Sequence, residues 1–519
     1  MKGFLKSIFF CSVVLASSLA TACKIRDFTW DDNLAEHVVI NYVTIGTKPV
    51  ESSNPATKEM LAELNKILTE KLNAELKITY IPEEDTQKNY DIEVKKQDGS
   101  VDLIGTATDW LDAWSYVKNG SFSKIPKDCL EEYAPLTYAQ VTNDDWLKCA
   151  YKGDIYLIPE NKYKQWANHG FMYRMDWAKE AGLENGVHSW EDLTEYFKYV
   201  KESKPDVIPW DSNGDISSYH GEGYIQSKTD FIILEGINVS RMFGVSRKNL
   251  EKVYSPFYEG DELIEYAKLM REWNNMGVWK ESVLHNISDN RKNRDEFYAG
   301  LSSVEQHHCQ TWYTQVRPEM NKRQPGSDVE FFWFGEESKN ITPMSITHGA
   351  MAVSNYSLNK GRALAVYDLL RNDPECYRLF NYGILGADYE IDENNHRVLP
   401  ANYDSNRRIV TNFWWGRNDD LEIRDALSDW DKFNEVSTLY ESLQFETDYS
   451  QLIWDFTKIE VQLKNIDAVW REFMGDICYG QDEDPEALVA EFRSKLKLAG
   501  IEDVLVELQH QVNFFNASR

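Results

Sequence analysis

From His37 to Ile45 the chain reads HVVINYVTI, a nearly unbroken β-branched and aromatic run. Such a run predicts a parallel strand covered on both faces, because a strand with one wet face would alternate. The next residues, TKPVESSNPAT, are polar, and Asn54 followed by Pro55 fits a helix start, as cap and first turn. In the KEMLAELNKILTEKLNAEL that follows, Met60, Leu61, Leu64, Ile67, Leu68 and Leu72 recur at the spacing of one helical face. LKITYIP (Leu76–Pro82) completes a strand–helix–strand unit, and VDLIGTAT (Val101–Thr108) predicts a third strand, short and buried. In open α/β sheets, ligands bind outside the carboxyl ends of the strands. That rule nominates Thr44 and Thr47 after the first strand, and Thr106, Thr108, Asp109 and Trp110 after the third.

A different apolar pattern opens the chain. Lys2 and Lys6 precede an apolar or small run from Ile8 to Ala20, too short to span a bilayer as a helix. Ala20, Thr21 and Ala22 then lead to Cys23. Basic, apolar, small is the order of a secretory signal peptide, which places residues 1–22 outside the fold. Ala20-Thr21-Ala22-Cys23 resembles a bacterial lipobox, with Ala20 where Leu is usual and Leu19 one place early. The expectation is cleavage before Cys23 and acylation of its thiol, so that a lipid anchor is the chain's only tie to a membrane.

Composition narrows what is tethered. At 519 residues the chain exceeds one core and should form at least two lobes. Its formal net charge is −29, and losing Lys2 and Lys6 with the leader takes it to −31. That charge argues against nucleic acid and against adsorption to anionic lipid. Of seven cysteines, Cys129, Cys149, Cys309, Cys376 and Cys478 lie beyond Cys23, with no CxxC spacing. This is neither a disulfide framework nor a zinc ribbon; Cys129 with Cys149 is the one pairing considered, and buried free thiols are the default.

The 17 Trp, 28 Tyr and 23 Phe are more aromatic surface than a core requires. Several Trp sit among polar residues in loop-like settings: TDWLDAW (Thr108–Trp114), ENKYKQW (Glu160–Trp166), QHHCQTWY (Gln306–Tyr313) and TNFWWGRND (Thr411–Asp419). A sugar ring offers an apolar C–H face to flat aromatics and a rim of hydroxyls to Asp, Glu, Asn and Arg. The candidate ligand-binding residues are therefore Thr44, Thr47, Thr108, Asp109, Trp110, Tyr163, Trp166, Gln306, Trp312, Trp414 and Trp415. Trp414 and Trp415 stand out, since adjacent Trp before Gly-Arg-Asn suit an exposed turn; core positions for one or both are the alternative.

Other constellations carry less. Asp211, Asn213, Asp215 and Glu222 match the oxygen-ligand spacing of an EF-hand loop, but Ile216 stands where Gly makes the sharp turn. A polar loop is the better reading. His307, His308, Cys309 and His348 invite a metal, yet neighbours in a strand point to opposite faces. With 85 acidic residues, some pair always resembles a glycosidase dyad, so carboxylates alone are no evidence. There is no GxSxG, P-loop or HExxH, and no cofactor or catalytic residue is nominated.

The order of features resembles the extracellular solute-binding lipoproteins of bacterial ABC importers, the broad group that includes maltose-binding protein. NYVTIGTKP, KEMLAELNKILTEKLNAELKITYI, DLIGTATDWLDAWSYVKNGSFSKI with LEEYAPL, and YKGDIYLIPENKYKQWANHGFMYRMDWAKEAGL carry it in sequence. WEDLTEYFKYVKESKPDVIPW follows, and the tail from LFNYGILGADYEI to AGIEDVLVELQHQVNFF resembles a C-terminal region of Gram-positive members. Each motif is loose, but their order is specific.

The resemblance implies an α/β, periplasmic-binding-protein-like fold of the second type, with two lobes joined by several crossings. Expected crossings lie near Pro159–Trp166, Phe297–His308 and His348–Asn355. They divide the chain into an N-terminal lobe of 23–162 and 298–352 and a C-terminal lobe of 163–297 and 353–519. The cleft beside them would hold a carbohydrate, an oligosaccharide by preference, for delivery to ABC-transporter permease subunits. Such a protein would be a monomer on the outer face of the cell membrane and not an enzyme. A peptide-binding receptor of the same fold and a secreted carbohydrate-active enzyme are the alternatives.

Overall fold

The computed structural model describes residues 28–518, apart from 83–84, 161–165, 167, 215–219, 238–240 and 286–292. Residues 1–27, with the leader and Cys23, and Tyr163 lie outside the described residues.

The first lobe is built on a five-stranded sheet in the order Ala74–Ile81, Val38–Ile45, Leu103–Thr106, Ala350–Val353, Leu157–Pro159. The first three strands are parallel, with Tyr42 opposite Leu103, and Ala350–Val353 runs antiparallel between Leu103–Thr106 and Leu157–Pro159. Ile40, Tyr42 and Val43 are fully buried, as the unbroken apolar run requires. The helix Ala56–Leu72 buries Met60, Leu64 and Leu68 completely, while Leu61, Ile67 and Leu72 pack at the margin. It starts one residue later than the sequence implies: Pro55 is the cap position, and Asn54 Oδ1 accepts from the Ala56 amide at 3.4 Å.

The second lobe has two small sheets. His169–Arg174 lies between Val304–His308 and Val329–Trp333, antiparallel to both, and Phe231–Ile233, Gly244–Ser246 and Asn249–Tyr254 form the other. Its core joins Trp190, Trp210 and Trp273 to the C-terminal helices Glu460–Cys478, Pro485–Ala499 and Ile501–Ala517. The helix Trp190–Ser203 opens on Ser189, whose hydroxyl accepts the Asp192 amide at 3.0 Å. The fold is thus the expected α/β pair of lobes.

The expected lobe boundaries need correction. The first crossing does fall between Pro159 in one sheet and His169 in the other. The segment 298–352, however, is split: Val304 pairs with Tyr173 and Val329 with Arg174, both in the second lobe. Phe297–His308 is therefore no crossing, and the chain returns only between Trp333 and Ala350. The segment from 353 to 415 belongs to the first lobe, because Ala363, Tyr367, Phe380, Phe413 and Trp415 fill its core. A further crossing follows Asp425, whose neighbour strand residue is Arg397, and precedes Asp429, whose amide bonds to the Tyr313 carbonyl of the second lobe.

All five described cysteines are free, so Cys129 and Cys149 are not paired. The ends of the EF-hand-like spacing are held by cations: Lys280 lies 2.9 Å from Asp211, and Arg241 2.7 Å from Glu222. Among the described residues no helix is long and apolar enough to cross a membrane.

Candidate functional site

Beyond the carboxyl ends of the first-lobe strands, three indoles meet. The short helical turn Phe413–Gly416 lays Trp415 over the sheet, where its Nε1 donates to Thr44 Oγ1 at 3.0 Å. The ring comes so close that a Cβ on Gly105 would sit 2.3 Å from it, so glycine is needed there. Tyr42 Oη and Thr44 Oγ1 donate to the Asn412 carbonyl, at 2.9 and 3.2 Å, and anchor the turn to the first strand. Trp110 stacks on Trp415 with centroids 6.0 Å apart and planes 21° from parallel, while Trp414 meets Trp110 edge-on at 6.0 Å. Trp415 is fully buried, whereas Trp110 is 39% and Trp414 50% exposed.

This sorts the predicted residues. Trp110 and Trp414 present aromatic surface; Trp415 and Thr44 are the base beneath it, so neither can touch a ligand directly. All three indoles belong to the first lobe, which corrects the assignment of Trp414 and Trp415 to the second. Trp312 is buried too, stacked on Phe331 with its Nε1 donating to the Val329 carbonyl at 2.9 Å. Trp166 is buried against Tyr440, and its Nε1 donates to Gln444 at 2.9 Å. Both are core residues of the second lobe rather than cleft residues. Thr47 is exposed on the loop after the first strand.

Charged groups ring the indoles. Asp109 Oδ2 lies 2.7 Å from His348 Nδ1, Trp110 Nε1 donates to the His348 carbonyl at 3.4 Å, and Thr108 shares a 2.7 Å hydroxyl bond with Thr347. Burial alone would lower the His348 pKa, but the Asp109 carboxylate and the nearby Glu160 and Glu235 outweigh it and raise it. Glu160 follows the strand Leu157–Pro159 into the first crossing, and burial pushes its carboxyl up to about 8 against the opposing pull of His348 and Arg417. Glu235, on the second lobe, is pushed up to about 7 by burial, reinforced by Asp109.

Across from these the second lobe offers imidazoles. Burial lowers His307 to about 4 and His308 to about 3, the latter helped by His307 and by His348 of the first lobe. Their rings are 4.2 Å apart, closer than alternation along a strand implies, because His308 ends the strand. Gln306 Nε2 donates to His169 Nδ1 at 3.0 Å. Among the described residues no group of three or more His, Cys, Asp or Glu side chains is placed to hold a metal ion.

An open cavity of about 1020 Å³ lies between the lobes, lined by Gln310, Tyr313 and Thr314 on one side and Arg417, Asp419 and Glu422 on the other. That is the upper end of the size range of small-molecule sites. Arg417 and Asp419 both act on Glu160, which ties the cavity to the charged ring. Sequence reasoning did not single out Glu160, Glu235 or His348 as ligand-binding residues. The available signal for Glu160 was its place at the end of an apolar strand run, LIPE, heading an aromatic loop.

The relatives share this architecture. Residues 449–517 match the family model described as "Domain of unknown function (DUF3502)", which spans the three C-terminal helices. Over 493 residues, 92% of this chain and 91% of the relative, the chain is 24% identical to a carbohydrate ABC transporter substrate-binding protein of Streptococcus pneumoniae. Its fold matches the N-glycan transport solute binding protein of the same species with a TM-score of 0.72, at 20% identity, over 92% of this chain and 98% of that one. An "HMO binding ABC-transporter associated Solute Binding Protein" from Bifidobacterium longum infantis matches at a TM-score of 0.65, with 14% identity over 92% and 99% of the two chains. The chain thus has the two-lobed fold of these solute-binding proteins, and over nearly its whole length it is similar in sequence to a carbohydrate ABC transporter substrate-binding protein.

Proposed function

We propose that the protein captures an oligosaccharide between its lobes and hands it, unchanged, to the permease of an ABC importer, while an acyl anchor on Cys23 holds it at the outer face of the membrane. The observation that carries the reading is the exposed Trp110–Trp414 pair, braced from below by buried Trp415 and bordered by the Asp109–His348 pair. A stacked sugar needs flat aromatic surface next to hydrogen-bonding groups that are already fixed in place, and both are present. The neighbouring cavity has room for more than one ring. The named ligands of its relatives, N-glycan and HMO, are of the same chemical class.

The test is a titration of intrinsic Trp fluorescence against a panel of oligosaccharides, with peptides as the contrasting set. Saturable quenching or enhancement by a saccharide, with the saccharide recovered intact, is the expected result. Saturation by peptides alone, or hydrolysis of the bound sugar, would overturn the reading.

A further inference from the structure

The two exposed indoles do not share a plane. Trp110 lies within 21° of buried Trp415, whose ring covers one of its faces and leaves the other open. Trp414 crosses Trp110 at 74° and Trp415 at 80°, with centroids 6.0 and 4.7 Å away. The pair therefore forms an angled corner, one indole as floor and the other as wall, rather than a flat strip.

The angle is built into the fold. Trp415 is held at Nε1 by Thr44 Oγ1 at 3.0 Å, and its carbonyl accepts from Tyr367 Oη, also at 3.0 Å. The turn that carries Trp414 and Trp415 closes at Gly416, where a Cβ would run into the Phe413 ring. The next amide, of Arg417, donates back to the Trp414 carbonyl at 3.1 Å. Trp110 Nε1 donates to the His348 carbonyl at 3.4 Å. With the turn and two of the three rings tied down, a ligand meets the two planes as they stand.

A sugar stacks on an indole by laying its C–H face parallel to the ring. In a β-1,4-linked glucan or mannan, successive sugars lie nearly in one plane, as an extended ribbon. A ribbon stacked on Trp110 would present only an edge to Trp414, and the reverse holds for one stacked on Trp414. Linkages such as α-1,4 or α-1,2 turn the next ring steeply out of that plane, so one ring can lie on each indole. The second stacked ring then buries apolar surface that a ribbon would leave in water.

We infer that the Trp110–Trp414 corner selects saccharides with a bent linkage, in which neighbouring rings are steeply inclined, over flat ribbons of the same sugars. This rests on the sugar-binding reading above and specifies the linkage within it. Trp414 is the residue that sets the preference, because without the wall a single flat platform remains.

The test uses the full-length chain and two matched pairs of tetrasaccharides, glucose joined α-1,4 or β-1,4 and mannose joined α-1,2 or β-1,4. Affinities are measured by calorimetry at neutral pH. In any pair of which a member binds, the α-linked member should bind at least about tenfold tighter, equivalent to ~1.4 kcal/mol. Trp414→Ala should reduce that ratio to about threefold or less while thermal unfolding stays cooperative, and Trp414→Phe, which keeps a flat ring there, should retain most of it. Equal or tighter binding of the β-linked member in either pair, or an undiminished ratio in Trp414→Ala, overturns the inference. If neither α-linked tetrasaccharide binds but another saccharide of the panel does, the linkage inference fails and the sugar reading stands. If no saccharide of any kind binds, both fail.

Discussion

Replacing Trp110, Trp414 and Trp415 by Ala, one at a time, separates the roles that the structure gives them. Trp415 is fully buried, stacks under Trp110 and donates from Nε1 to Thr44. Truncating a buried Trp leaves a cavity and costs about 3–5 kcal/mol of stability. Thr44 Oγ1 keeps its bond to the Asn412 carbonyl but loses the Trp415 donor, which adds about 1 kcal/mol at most. Trp414 is half exposed and makes its ring contacts edge-on, at 4.7 Å to Trp415 and 6.0 Å to Trp110. Its truncation should cost at most about 1 kcal/mol of stability, as for an exposed position with partial packing. Its loss from a stacked sugar should instead cost about 1–3 kcal/mol of binding, roughly tenfold to a hundredfold in Kd. Trp110 lies between the two, with weaker binding and a moderate loss of stability. Denaturant unfolding and fluorescence or calorimetric affinity, measured on the same preparations, give both quantities. The reasoning fails if Trp414→Ala lowers stability as much as Trp415→Ala, or if Trp110→Ala and Trp414→Ala both bind with unchanged affinity.

Three further outcomes are expected. The ligand-free protein should lose stability as pH rises from about 5 to about 8: Glu160 holds a proton up to about 8 and Glu235 up to about 7 in the folded state, while an unfolded glutamate gives it up near ~4.3. Each such group can contribute up to ~1.4 kcal/mol per pH unit in that window, so Glu160→Gln should flatten the melting-temperature profile; a profile as steep as that of the unaltered protein would refute the assignment. Cys23→Ser should release the protein from the membrane fraction into the medium, and retention there would sink the anchor, whose stability needs more than one acyl chain. Small-angle scattering should show a slight contraction when a binding saccharide is added, because closure is driven by tighter binding to the closed state; an unchanged profile with a saccharide shown to bind would count against a closing cleft.

The parts of the fold that were legible are those where local pattern and burial coincide. The strand His37–Ile45 and the helical face of Met60, Leu64 and Leu68 are fixed by contacts within one supersecondary unit, so period and composition suffice. The lobe boundaries were not legible, because they depend on pairing at long range. Nothing in VEQHH says that Val304 lies opposite Tyr173 rather than joining the first sheet, and nothing in FWWG says that Asn412 and Trp415 reach back to Tyr42 and Thr44. The same limit acts on the tryptophans. Loop-like surroundings mark Trp110, Trp166, Trp312, Trp414 and Trp415 alike, yet Trp166 and Trp312 find acceptors for their Nε1 in Gln444 and the Val329 carbonyl and withdraw into the core.

Trp415 shows why adjacency alone did not tell which of the two indoles is exposed. In a tight helical turn, neighbouring side chains diverge, so of two adjacent indoles one can be driven inward while the other is left outside. Here the inward ring caps Gly105 at the end of a central strand, and that position is the carboxyl edge where ligands bind in such sheets. A buried ring there does not dilute the platform: it fixes the plane of Trp110 within 21° of its own and leaves little reorientation for a sugar to induce. Less orientation remains to be frozen on binding, which favours affinity. On the proposed reading the buried indole would aid binding by holding another ring still, a role that a change at Thr44 would also disturb, since Thr44 Oγ1 is the acceptor that positions Trp415.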